Sequence, residues 1–548
     1  MGTWISPMRC PLTQAERRNL LERLVQSGLQ ISPDALDYVL SLEAPSLAVD
    51  SIITGRTKTA YPSVLSRIFI EKLLSGDPQE SESSLEQLES YQIEEFPGPI
   101  DQGPSEEQDW PIRILKNPDK ASVGSEGSVD DFLALFTDRY KRIKRIYAGR
   151  MDTQGALSPA VAKTKTSDSL RFESLAKRGQ RRKKPPNLNV IGIVKSKNIS
   201  RSQNIILEIE DSEGTIICVV PTGTKGLKGQ QLSEKANSVL LDEIVCVSGY
   251  VDRDGRMIAN DVIFPDIPTT KEVGRARRDV YAVFISDLHC GSNEFLEDEF
   301  DRLIDWIRGR DVDAADKNMV NRIQYIFIAG DLVDGVGVYP EQRGDLAIPS
   351  IYEQYALLAD KLRNLPDGIK ILCIPGNHDA CRQALPRPPI PKEFAPSLYG
   401  LGDRIMMFGD PCQIVVEGVN VILTHGDSLD DLVTNIPGAS YKEPAIPMKS
   451  LLQKRHLAPL FGGKTELAPL HRDWMVIETP PDIIHFGHAH HNAVDVHRGV
   501  QIINSGTFQS QTDFMRKQGI VPTPGIVTLV NLRTGAPELK FFYDMVGQ

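Results

Sequence analysis

Five apolar runs of strand length, each ending in a polar cluster, constrain this chain more than any other feature in it. They are Val283-Phe284-Ile285-Ser286-Asp287-Leu288-His289, Ile326-Phe327-Ile328-Ala329-Gly330-Asp331, Ile371-Leu372-Cys373-Ile374-Pro375-Gly376-Asn377-His378-Asp379, Val421-Ile422-Leu423-Thr424-His425-Gly426-Asp427 and Ile483-Ile484-His485-Phe486-Gly487-His488-Ala489-His490. Short apolar runs bounded by turn signals read as buried strands. In layered α/β folds, sites form at the C-terminal ends of such strands, and glycine at the junction lets the backbone turn sharply. A lone Asp-x-His or Gly-Asp is more often an ordinary turn. The ordered set of five predicts strands that converge Asp, His and Asn side chains on one cluster.

The residue types point to metal chemistry. Imidazole nitrogens and carboxylate oxygens suit Mn, Fe or Zn at neutral pH. A carboxylate shared by two cations bridges them, and such a pair acidifies a water and clamps phosphate oxygens. Asn adds an oxygen donor without adding charge.

The order Asp-x-His, Gly-Asp, Gly-Asn-His-Asp, His and Gly-His-x-His resembles that of calcineurin-like metallophosphoesterases. Three further stretches narrow the resemblance to the small, exonuclease subunit of archaeal family D DNA polymerase. They are Gly330-Asp331-Leu332-Val333-Asp334-Gly335, Ala384-Leu385-Pro386-Arg387-Pro388-Pro389 and Leu452-Gln453-Lys454-Arg455-His456-Leu457-Ala458-Pro459. The resemblance covers about residues 187–545. It implies that Asp287, His289 and His490 hold one divalent metal, that Asn377, His425 and His488 hold a second, and that Asp331 bridges them. The metals would be Mn²⁺ first, with Fe, Zn or Mg as alternatives. It further implies that His378 faces the scissile phosphate as a catalytic group, oriented by Asp379. The activity implied is 3′-5′ exonuclease proofreading on single-stranded or mismatched 3′ ends of DNA. No carboxylate-rich polymerase motif is present, so synthesis would belong to a large catalytic partner subunit. A noncatalytic accessory subunit and a stand-alone repair nuclease or phosphatase are the rival readings.

The expected architecture is multidomain. An N-terminal α-helical module spans 1–76, with a capping box at Thr13–Glu16 and a helix start at Ser32-Pro33-Asp34. It is either a docking domain for replication factors or a plain bundle. An acidic flexible linker follows over 77–127. Between Leu73 and Ile112 stand eleven acidic residues and no Lys or Arg, equal to the whole net charge of −11, so the rest of the chain is near neutral and the total does not exclude DNA. Residues 128–186 form a helix with a capping box at Ser128 and then a basic stretch. Arg139, Lys141, Arg142, Lys144 and Arg145, and the cluster Lys177–Lys184, are either phosphate contacts or solvated charge. Over 187–268 the period becomes two, with tight turns at Asp211–Gly214 and Asp252–Gly255, as in an all-β OB-fold. Only Tyr250 and Phe264 are near at hand for stacking bases, so a docking barrel is as well supported as a DNA-binding one. The layered α/β phosphoesterase domain occupies 269–548.

His456 is read as a phosphate grip or a surface helix residue. Seven cysteines without a CxxC pair read as reduced core residues. No apolar run is long enough for a membrane span, and no apolar signal core follows the first Met, so a cytoplasmic location is expected.

Overall fold

The computed structural model describes residues 112–166, 187–223, 226–310 and 312–543, with scattered residues between 20 and 70. The chain divides into two compact units, 1–108 and 109–548. In the first, the helix Pro45–Gly55 contributes Ala48, Val49 and Ile52 to a small core with Leu20, Val39 and Ile70. The predicted helix starts at Thr13 and Ser32, the acidic stretch through 111 and the basic cluster Lys177–Lys184 lie outside the described residues.

The second unit opens with a correction. The acidic linker does not extend to 127 as expected. Instead Ile112–Lys116 is a strand, β1, and Ser128 caps the helix α1, Val129–Ala148, through the predicted box: Ser128 Oγ accepts from the Asp131 N–H at 3.2 Å, and the Ser128 N–H donates to Asp131 Oδ2 at 3.0 Å. The alternation Leu188–Ile199 (β2), Ile205–Asp211 (β3), Gly214–Val220 (β4), Ile244–Val251 (β5) and Met257–Ile263 (β6) closes into a five-stranded barrel in the order β2-β3-β4-β6-β5. Ile205, Leu207, Ile209, Ile216, Cys218 and Val220 point inward, as period two requires.

Two six-stranded sheets form the body. The first runs β10-β9-β8-β7-β16-β17, where β7 is Tyr281–Ile285, β8 Ile323–Ala329, β9 Lys370–Ile374, β10 Ile405–Met407, β16 Ile526–Asn531 and β17 Pro537–Phe541. Strands β7 to β10 are parallel. The second runs β14-β15-β13-β12-β11-β1, where β11 is Cys412–Val416, β12 Val419–Leu423, β13 Ile483–Phe486, β14 Ala493–His497 and β15 Val500–Asn504. Strands β12, β13 and β15 are parallel, and β1 closes the edge antiparallel to β11. Phe284, Phe327 and Leu372 from the first sheet meet Ile414, Val421, Leu423 and Ile483 from the second. The opposite face of the first sheet packs on Phe300, Tyr355 and Leu358 of helices α3 (Glu297–Ile307) and α4 (Ile351–Arg363), and that of the second on Leu429, Leu432, Met448 and Leu451 of α5 (Leu429–Asn435) and α6 (Ala445–Lys454). The body is thus a helix–sheet–sheet–helix sandwich. Both faces of its central strands are buried, which is why they read as unbroken apolar runs. The barrel carries α2, Leu227–Asn237, whose Leu232 and Ala236 join its core.

Barrel and body share a charged seam, and here the basic helix face is corrected. Arg139 is fully buried: Nε bonds Asp473 Oδ2 at 2.6 Å, and Nη1 donates to the carbonyls of Pro459 at 2.6 Å and Asp242 at 3.0 Å. Arg142 donates to the Asp473 carbonyl and to Glu478. Neither is free for phosphate. Lys454 pairs with Glu243 at 2.6 Å, Arg455 donates to the carbonyls of Ile477 and Asp266, and His456 Nε2 lies 2.9 Å from Asp473 Oδ2. Residues 454–456 therefore fasten the barrel to the body from inside. His456 is neither a surface residue nor a phosphate grip.

Candidate metal centre

The five motifs meet at the C-terminal ends of β7, β8 and β9 from one sheet and β12 and β13 from the other. Left-handed backbone aims the side chains. Asp287 (φ 52°), His289 (φ 50°), Asp331 (φ 49°), His488 (φ 65°) and His490 (φ 52°) are five of the twelve such non-glycine residues among the described ones. This conformation costs a non-glycine residue about 1 kcal/mol or more and clusters where function demands it. Glycine makes the close approach workable: a Cβ on Gly376 would stand 2.2 Å from Asp331 Oδ1 and 2.8 Å from the His425 ring.

Donor atoms of Asp287, His289 and His490 lie within 4.8 Å of one another, as do those of Asp287, Asp331 and His425, and those of His289, Asp331 and His378. His425 Nε2 is 3.4 Å from Asp331 Oδ2 and 2.9 Å from Asn377 Oδ1, so Asn377 joins the group. His490 Nε2 is 3.3 Å from Asp287 Oδ1. His488 turns Nε2 to Asp430 Oδ1 at 3.0 Å, with its ring centroid 5.2 Å from that of His425. Six of the seven expected ligands thus gather at one centre, and His488 stands beside it with its Nε2 turned to Asp430. His378, expected outside the ligand set, offers a nitrogen to one cluster.

The hydrogen bonds behind the rings suit these groups to a cation. His289 Nδ1 lies 3.0 Å from Asp334 Oδ1, and His425 Nδ1 lies 2.8 Å from the Ala329 carbonyl. Carboxylate and carbonyl oxygens only accept, so each Nδ1 carries a proton, and the ring that gives up its second proton turns an Nε2 lone pair inward. The His289 lone pair meets His490 Nε2 at 3.1 Å and Asp331 Oδ2 at 3.6 Å. Once deprotonated, these rings and carboxylates form a donor set of the kind a cation of the Mn, Fe or Zn class takes. With the site's own groups alone, burial works against charge on both partners, yet Asp331 holds His425 well above the usual imidazole range and His425 holds Asp331 well below the carboxylate range.

Asp379 does not orient His378, contrary to expectation. Its carboxylate accepts from the N–H groups of Gly376 (2.8 Å) and Leu332 (3.2 Å) and from the Tyr355 hydroxyl (3.0 Å), which ties two ligand loops together. Burial, then the charge of Asp331, pushes it up to about 7. The His378 ring is held instead by Asp334, whose carbonyl lies 2.8 Å from Nδ1. Asp334 therefore fixes two imidazoles, and Gln342 and Gln509 fix its carboxylate in turn. It stood in the quoted stretch Gly330–Gly335, but nothing there assigned it a role. Asp427, two residues after His425, is gripped by both terminal nitrogens of Arg387 at 2.6 and 2.8 Å. His485 is a buried strand residue bonded to Ser505, and His471 and His497 pair with Asp131 and Asp266.

The centre floors a cleft of about 600 Å³ whose walls include Tyr339, Tyr441, Lys464, Phe514, Met515 and Ile520.

Comparison with known proteins gives a consistent family. A profile of the B subunits of DNA polymerases alpha and epsilon matches residues 282–494. The DNA polymerase II small subunit of Archaeoglobus fulgidus is 38% identical over 79% of this chain and 81% of its own length. That of Methanothermobacter thermautotrophicus is 34% identical over 78% and 82%, and that of Methanocaldococcus jannaschii 37% identical over 77% and 67%. Among solved structures, an archaeal phosphodiesterase aligns over 48% of this chain and 99% of its own at 12% identity, with a TM-score of 0.25, too slight a likeness to argue from. On the strength of its archaeal relatives, the chain belongs to the family of DNA polymerase II small subunits.

Proposed function

We propose that this chain is the 3′-5′ exonuclease of a replicative DNA polymerase, removing nucleotides from single-stranded or mismatched 3′ ends. The observation that carries the reading is the convergence of five strand ends from two sheets on one floor of carboxylates, imidazoles and an amide. Asp287, His289, His490 and Asp331 would hold one divalent cation, and Asn377, His425, His488 and Asp331 would hold a second, with Mn²⁺ the first to supply and Fe, Zn and Mg the alternatives. Such a pair supplies Lewis acidity, lowering the pKa of water and screening phosphate charge.

The chain's own groups do the rest. Asp334 and the Ala329 carbonyl keep the Nδ1 protons of His289 and His425 turned away from the floor. The Asp334 carbonyl accepts a hydrogen bond from His378 Nδ1–H, which leaves the Nε2 edge for the phosphoryl group. Burial lowers the pKa of His378, so the proton it would donate through Nε2 to the departing 3′-oxygen has to be acquired as negative charge builds on the phosphoryl group. Synthesis is assigned to a large catalytic partner subunit, as the relatives' designation as small subunits supports. We also read the five-stranded barrel as an OB-fold used for docking. Phe264, one of its two candidate stacking residues, lies under the Lys454 ammonium at 4.4 Å, within the seam. No helix among the described residues is long and apolar enough to cross a membrane.

The test is hydrolysis of a 3′-mismatched oligonucleotide by the full chain, alone and with its polymerase partner. Mononucleotides should appear with Mn²⁺ and cease with chelator. His378→Ala should lower turnover by about 10²–10⁴ with metal content unchanged. A folded, metal-loaded protein that releases nothing in either form would sink the reading.

A further inference from the structure

The cleft is polar on its floor and apolar along one wall. That wall belongs to a segment the metal chemistry does not use, the short helix α7, Asp513–Gln518, between β15 and β16. Thr512 caps it, with the Met515 N–H donating to Thr512 Oγ1, and Gly519 ends it at φ 69°. Met515 is buried and pins the helix down. Its neighbour Phe514 is turned out, with 65% of its surface exposed at the mouth. No ring contact holds Phe514 among the described residues, and nothing in the packing requires an aromatic there.

The segment is stitched to the ligand loop. The Thr523 N–H donates to the His490 carbonyl at 2.9 Å, the Asn492 N–H donates to Thr523 Oγ1 at 2.6 Å, and Gln511 Nε2 donates to the Ile520 carbonyl at 2.7 Å. Gln509, which opens the segment, donates to Asp334. The backbone that carries the ring is therefore fixed relative to the floor. A phosphodiester on that floor carries a nucleoside to one side, and a flat apolar ring on a fixed backbone is what an unpaired base stacks on, whatever its identity.

Resting on the exonuclease reading, we propose that Phe514 is the stacking platform for the 3′-terminal base, with Met515 and Ile520 as the apolar wall beneath it. A platform of this kind takes a base that has left its partner, so it favours frayed and mismatched ends over paired ones. Discrimination then comes from the unpaired state of the base, with no base-edge hydrogen bond.

The experiment measures binding only, so it stands apart from hydrolysis. The full chain in Mn²⁺ is titrated with two fluorescent single-stranded oligonucleotides, each with a hydrolysis-resistant phosphorothioate at the terminal linkage. One ends in a normal 3′ nucleotide and the other in an abasic one. The wild type should prefer the base-bearing end by about tenfold, within the range of base–aromatic stacking. Phe514→Ala should abolish the preference, Phe514→Trp should keep it, and thermal melts should show all three folded. Equal preference in wild type and Phe514→Ala, or no preference in the wild type, overturns the platform. Binding with the expected preference but no hydrolysis of an ordinary linkage overturns the exonuclease reading and leaves the platform standing.

Discussion

Removing the guanidinium of Arg387 should destabilise the body by about 3–5 kcal/mol at pH 7–8, and most of that should vanish by pH 5. Arg387, 1% exposed, donates to both oxygens of Asp427, to Asp410 and to the carbonyls of Arg382 and Gln383. Arg387→Met keeps similar bulk and leaves two buried carboxylates without their cation, a change that typically costs about 3–5 kcal/mol. Titration sets a ceiling. A carboxyl that must take up a proton at pH 7, against an ordinary value near 3.8, costs about 4 kcal/mol at 1.36 kcal/mol per unit. Asp410 is already pushed up to about 6 by burial, so much of its cost is present in the wild type. Arg387 holds Asp427 well below the carboxylate range against burial, so nearly all of that cost is new in the variant. In the variant the folded-state carboxyl values rise above the unfolded ones. The deficit is therefore full above the raised values and shrinks as pH falls toward about 4. Urea unfolding between pH 5 and 8 would measure it, and Arg387→Met/Asp427→Asn should recover at least half. A loss under about 1 kcal/mol, or one independent of pH, would refute the argument.

Three other outcomes follow from the same geometry. His456 is buried neutral, with burial lowering its pKa to about 4, so the unfolded chain takes up a proton first as pH falls; stability should drop by up to about 3 kcal/mol between about pH 6.5 and 4, and His456→Asn should flatten that slope in a urea series. Gly376→Ala pushes a methyl group into Asp331 and His425, so metal retained after dialysis should fall while circular dichroism stays unchanged; a variant that keeps full metal content would contradict the close approach. A chain starting at residue 187 lacks β1 and α1 and bares the β11 edge together with Asp473 and Glu478, so it should aggregate or melt without cooperativity, whereas one starting at residue 109 should melt as a unit; equal melts would show that the seam does not hold barrel and body together.

The centre was legible because each motif is local. A buried strand and the polar turn that ends it are neighbours in sequence, so Asp287, Asp331, Asn377, His425 and the Gly-His-x-His turn could be placed before any fold was known. The barrel was legible for the same reason, since Ile205 to Val220 alternate across one hairpin. The seam was not. Arg139 lies 334 positions from Asp473, and Lys454 lies 216 from Ser238, so basic residues that pair internally looked like ordinary surface charge. Asp379 was misjudged because adjacency to His378 suggested contact, while the turn carries its carboxylate back under the ligand loops. Asp334 stood in the quoted Gly330–Gly335 stretch without a role, because nothing in residue type or spacing separates a carboxylate that orients a ligand from its neighbours.

The place of β1 has a consequence for how the protein is made. Ile112 pairs with Val416 and Lys116 with Gln413, so the first strand of the unit is synthesised roughly 300 residues before the strand it borders. At about 5–20 residues per second, a ribosome takes some 15–60 s to cover that distance. For all of that time Ile112 and Ile114 have no sheet to join, while the barrel, complete by Ile263, can already have closed. Nascent chains stalled before Cys412 should therefore carry a folded barrel and a protease-sensitive 112–116 segment, and that segment should become protected only once β11 has cleared the exit tunnel.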